Sequence, residues 1–127
     1  MRAIKVLLID DEKLIRSTTS MLLKLQNIET ITACDGDEGI ALALKHYPTI
    51  ILLDIAMPVS DGWQVLDKLK STPSIAHIPV VLFTADESTI SQEKVHEHGA
   101  AAICGKPFHP TQLISIIKDI GCDNSRS

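Results

Sequence analysis

Five short apolar runs recur along the chain, and each is followed by a stretch of different period. The runs are residues 3–9 (broken only by Lys5), the alternating, β-branched 28–34, 50–54, 79–84 and the weaker 100–104. They are too short for buried helices and rich in Ile, Val and Leu, as strands are. Between them the apolar residues return at helical spacing: Leu14, Thr18, Met21, Leu22 and Leu25, then 40–47, then Val65, Leu66 and Leu69, then 111–120. Punctuation agrees with that division. Asp35 and Glu38 stand at capping-box spacing, Pro48 stops the second helix, "STPS" ends the third and Pro110 suits the first turn of the last. Residues 87–98 are polar and only weakly helical, and Gly99 closes them. A strand–helix unit repeated in this way predicts an α/β domain with a doubly wound, parallel, five-stranded sheet, (βα)5 in type. Wholly apolar strands suit a sheet covered on both faces.

The length of 127 residues suffices for one domain with one core. We expect that domain over residues 1–121, with 122–127 as a short C-terminal tail. Asp and Glu number 16 against 12 Lys and Arg, a net charge of −4, which argues against nucleic acid as a direct partner. No run reaches the roughly 18 apolar residues of a membrane helix, so no membrane insertion is expected. The apolar part of the N-terminus is too short for a signal peptide and acids follow at once. Cys34, Cys104 and Cys122 show neither disulfide nor metal spacing, and the reading is a reduced, cytoplasmic chain.

In open α/β sheets, sites form beyond the carboxyl ends of the strands. The first run ends in Asp10, Asp11 and Glu12, the third in Asp54 and the fourth in Thr84; the fifth is followed by Gly105 and Lys106. A parallel sheet brings all of these to one edge. Two carboxylates ~4 Å apart repel by about 4 kcal/mol at an effective dielectric of ~20, so a cation or a shared proton is needed among them. Hard oxygen ligands suit Mg2+ (or Mn2+). An ammonium and a hydroxyl beside such a metal match a phosphoryl group, and a carboxylate is itself a nucleophile able to form an aspartyl phosphate.

The ordered set "VLLIDDE", "LLDIAMPVSDG", "LFTA" and "GKPF" resembles the response-regulator receiver domains of two-component signalling, over nearly the whole chain. The resemblance implies the strand order 2-1-3-4-5. It implies Asp54 as phosphoacceptor, Asp11 and the Ala56 carbonyl as metal ligands with Asp54, and Asp10 acting through a bound water. Lys106 would pair with a phosphoryl oxygen, Thr84 would bond the phosphoryl group and move with it, and Ala85 follows Thr84 in the same motif. The Lys106–Pro107 peptide is expected to be cis. The implied partners are a histidine kinase or histidine phosphotransfer protein, as phosphodonor, and a downstream protein target. Such a domain is a phosphoacceptor that catalyses its own phosphorylation and slow dephosphorylation, not an enzyme acting on a separate substrate. Its output surface would be the fourth helix, fifth strand and fifth helix, in a monomer or weak dimer resembling chemotaxis-type or phosphorelay regulators. The alternatives are a fragment of a larger regulator or hybrid kinase, and a partner-binding pseudo-receiver that is never phosphorylated.

Some positions depart from that pattern. Ile103 stands where many relatives carry an aromatic switch residue, so the usual coupling of Thr84 to an aromatic rotamer does not apply. "GAAAIC" lacks the acids of an ionic dimer, and His109 is a poor helix N-cap. Bland readings stand beside the functional ones. Asp54 reads equally as a turn residue, Asp10–Asp11 as a cap, Thr84 as a strand end and Lys106 as a solvated side chain when each is taken alone. Asp61–Gly62 reads as a structural turn or cap, Trp63 as surface packing, and His96 and His98 as scattered residues without a metal role. A haloacid-dehalogenase-type phosphatase would need D-x-D after the first strand, and an FMN carrier a Ser/Thr/Gly-rich loop there; "DDEKLIR" is neither.

Overall fold

A computed structural model describes residues 4–55, 61–84, 92–105 and 110–126. The order is β1 (Lys5–Ile9), α1 (Lys13–Leu25), β2 (Glu29–Ala33), α2 (Gly36–His46), β3 (Ile50–Asp54), α3 (Gly62–Ser71), β4 (Val80–Thr84), α4 (Gln92–Glu97), β5 (Ala102–Gly105) and α5 (Pro110–Arg126). The five strands form one parallel sheet in the order β2-β1-β3-β4-β5. The last helix continues well past Ile120, where the apolar pattern stops.

Alternation along the strands explains why they read as unbroken apolar runs. Leu7, Ile9, Ile51, Leu53, Val80 and Leu82 point to one face, where Ala43 of α2, Val65, Leu66 and Leu69 of α3 and Val95 of α4 cover them. Val6, Leu8, Ile50, Leu52, Val81, Phe83 and Cys104 point to the other, under Leu23 of α1 and Leu113 and Ile117 of α5. Successive side chains thus feed two cores, and both faces of β3, and of β1 beyond Lys5, are covered.

Helix α1 lies differently from the stripe Leu14, Thr18, Met21, Leu22, Leu25. Its inward residues are Thr19 and Leu23, with Ile15 and Leu22 partly buried, whereas Leu14, Met21 and Leu25 are exposed at 76%, 68% and 75%. The helix carries two apolar rows of the same period, and packing against the sheet selects the row containing Leu23.

At the caps, Asp35 Oδ1 accepts from Glu38 N at 2.8 Å, and Glu38 Oε1 accepts from Cys34 N at 2.9 Å. Asp61 caps α3 by accepting from Trp63 N at 2.9 Å. The close approach of α3 to β3 requires glycine: a Cβ at Gly62 would collide with Ile55 Cα and stand 2.8 Å from that residue's carbonyl.

Candidate functional site

Register decides which strand ends meet. Ile9 is level with Leu53, so the next residues, Asp10 and Asp54, leave adjacent central strands at the same height. Asp54 is level with Phe83, and Thr84 with Gly105. One edge of the sheet therefore runs from Asp10 through Asp54 and Thr84 to Gly105, the residue before Lys106. Thr84 is placed by its backbone only. Ala56, Ala85, Lys106, Pro107 and His109 lie outside the described residues.

Asp10, Asp11, Glu12 and Asp54 each offer a carboxylate oxygen, and these atoms all lie within 4.8 Å of one another. Asp10 and Asp54 are 0% and 3% exposed, Asp11 is half-buried and Glu12 exposed. Such a group is walled on the sheet side and open on the solvent side. Asp10 is held by its backbone and its side chain: its N donates to Ala33 O at 3.0 Å, and its Oδ1 accepts from Glu12 N at 2.9 Å, a turn that carries Asp11 and Glu12 around it. Arg16 Nη1, one turn into α1, donates to the Asp10 carbonyl at 2.8 Å. That brings a guanidinium to the rim of the acidic group.

The donor set consists of hard oxygens only, and four carboxylates this close carry more negative charge than one guanidinium offsets. A small divalent cation fits both the chemistry and the crowding. Of the expected site residues, Asp10, Asp11 and Asp54 are brought together. Glu12, the third acid at the end of the first strand, joins them. Arg16 stands at their rim without having been singled out by any motif, since its partner is a backbone carbonyl.

Ile103 is partly buried and packs against the core beneath α2, α3 and α4. Trp63, read as surface packing, also packs against that core. Its ring meets His98 at 4.8 Å between centroids, and Lys94 Nζ stands 4.5 Å from its centroid.

Residues 6–118 match the family model of the response regulator receiver domain. The chain belongs to that family of two-component signalling domains. It is 34% identical over 115 residues to protein PilG of Pseudomonas aeruginosa, covering 91% of this chain and 85% of PilG. It is 32% identical over 113 residues to the polar-differentiation response regulator DivK of Brucella ovis, covering 89% and 92%. Response regulator PleD of Caulobacter vibrioides is 34% identical over 116 residues, 91% of this chain but only 26% of PleD. Among solved structures, the chemotaxis protein CheY4 of Vibrio cholerae superposes with a TM-score of 0.85 at 29% identity, over 94% of this chain and 99% of that one. No helix among the described residues is long and apolar enough to cross a membrane.

Proposed function

We propose that this receiver domain accepts a phosphoryl group on Asp54 from a partner phosphohistidine and passes the signal to a protein partner through α4, β5 and α5. The observation that carries the proposal is the placement of Asp54: a buried carboxylate at the end of a central strand, on the sheet side of an oxygen-only cluster whose other side is formed by half-buried Asp11 and exposed Glu12. A carboxylate oxygen of Asp54 attacks phosphorus in line, the P–O bond forms, and the P–N bond to the donor imidazole breaks. Asp11 and Asp54 would hold Mg2+ or Mn2+, with the Ala56 carbonyl as a further ligand and Asp10 acting through a bound water; the bound metal would neutralise charge on the transferring group. Lys106 would hold a phosphoryl oxygen, and Thr84 would donate to another. Water later attacks the acyl phosphate, which regenerates Asp54 and releases inorganic phosphate.

A protein donor needs a docking surface beside the acceptor. Helix α1 begins three residues after Asp10 and shows Leu14, Met21 and Leu25 to solvent, an apolar row on a helix with Lys13, Arg16 and Lys24 and no acidic residue. Such a row suits an amphipathic helix with an acidic flank.

The test is incubation with acetyl phosphate and Mg2+, read by intact mass. The wild type is expected to gain one phosphate that base removes, and Asp54→Asn to gain none. A wild type that stays unmodified with both acetyl phosphate and a cognate kinase would refute the acceptor role.

A further inference from the structure

Helix α4 has six residues, and among those whose side chains are described only Val95 is buried, at 1% exposure. Burial of one valine is worth about 1.5–3 kcal/mol, little against the cost of ordering the segment. Other contacts must hold it. Among the described residues, such contacts come from one row of α3, at positions 63, 67 and 70. Trp63 takes the Lys94 ammonium over its ring and the His98 imidazole against it, the two rings tilted by 46°. Asp67 Oδ1 lies 2.7 Å from His98 Nδ1. Below them Gly99, at φ +80°, faces the stem of Lys70, whose Nζ donates to the Ala76 and Ile78 carbonyls at 3.2 and 2.8 Å. The spacing i, i+4, with 63/67 on α3 against Lys94 on α4 and His98 in the turn just after it, presents the two pairs to each other.

The opposite end of this row touches the site. Gly62, beside Trp63, is the residue that packs on Ile55, and Ile55 follows Asp54. Trp63 is therefore one residue from the contact with the acceptor strand and in direct contact with α4.

We propose that Trp63, Asp67, Lys94 and His98 form a clasp that ties α4 to α3, and through Gly62 and Ile55 to the end of the strand carrying Asp54. The clasp supplies a route from Asp54 to α4 that does not use position 103, which is Ile. That second statement rests on the acceptor reading above, whereas the clasp itself does not. Among the described residues, the charged groups around the imidazole are Asp67 across the gap, Lys94 four residues back and Lys70 beside Gly99.

Amide hydrogen exchange on the full chain tests this, with residues 92–97 read against β1 and β3. Asp67→Asn and Trp63→Leu should each lower α4 protection, Trp63→Leu by roughly three- to tenfold, the range set by one cation–π contact and the ring contact beside it. Strand protection should stay unchanged. If α4 protection is the same in wild type, Asp67→Asn and Trp63→Leu, the clasp is overturned. A parallel arm follows mass gain from acetyl phosphate. Faster uptake in Asp67→Asn than in wild type supports the route to Asp54, and equal uptake overturns it. No uptake in either refutes the acceptor reading and with it the route, while the exchange data still decide the clasp.

Discussion

Helices α1 and α4 cover opposite faces of one sheet and are held by different physics. Helix α1 has 13 residues and buries Thr19 and Leu23, with Ile15 and Leu22 partly buried, while leaving Leu14, Met21 and Leu25 in water. Helix α4 anchors a single described apolar side chain and meets α3 through an ammonium, an imidazole, an indole and a carboxylate. Burial is insensitive to charge, so α1 forms a fixed platform next to the acidic cluster. Polar contacts at a half-exposed seam are individually worth under about 1 kcal/mol, so α4 stays close to balance. An element near balance is where a charge added at Asp54 is readable as a change of population.

The sharpest way to break this contrast is to cut one buried anchor on each helix. Leu23→Ala is expected to cost about 2–5 kcal/mol of global stability. Val95→Ala should cost roughly 1–2 kcal/mol, at about 0.8 kcal/mol per buried CH2. Its effect should be local, with α4 amides exchanging faster while strand protection is kept. Equal, global losses from both in denaturant unfolding would show that the two helices are held alike.

An effect of intermediate size is expected where α3 meets the end of β3. Gly62→Ala puts a methyl group against the Ile55 backbone. The shift should cost about 1–3 kcal/mol and displace the residue after Asp54, so phosphate uptake should fall with the denaturation midpoint. An unchanged midpoint would mean that α3 moves freely against β3, and the contrast between fixed and adjustable elements would lose its hinge.

The smallest effect is in pH dependence. Burial holds the Lys70 ammonium below the ordinary lysine pKa. A folded state with a lowered pKa binds fewer protons than the unfolded chain just below that ordinary value, about 10.4, so this contribution to stability rises with pH into that window. Lys70→Met should flatten the alkaline rise relative to the wild type. Unfolding midpoints between pH 8 and 10 report it, and parallel curves for the two proteins would place the ammonium in water.

Much of the fold and part of the site were legible before any coordinates. Strand runs with little polar interruption, above all Val6–Ile9 and Ile50–Leu53, announced a sheet with two covered faces, because only residues buried on both sides dispense with alternation. Asp10, Asp11 and Asp54 stood out because charge ending an apolar run is costly unless it has a use. The facing of α1 was not legible: Leu14, Met21 and Leu25 repeat with the same period as the row that packs, and period alone carries no direction. Arg16 was hidden because it donates to a backbone carbonyl, which every residue has. Trp63 was read as surface packing, and its partners lie across a separation that local pattern does not reach; Asp67 and His98 are 31 residues apart.

The sequence by itself determined the number and kind of elements, the apolar cores and the residue types at the strand ends, since these follow from periodicity, length and the cost of burying charge. Only the tertiary structure decided which carboxylates share a space, which side of α1 faces water and what holds α4. Those depend on register and on contacts between distant segments, where a shift of one residue or a third of a helical turn changes the neighbour without changing the pattern.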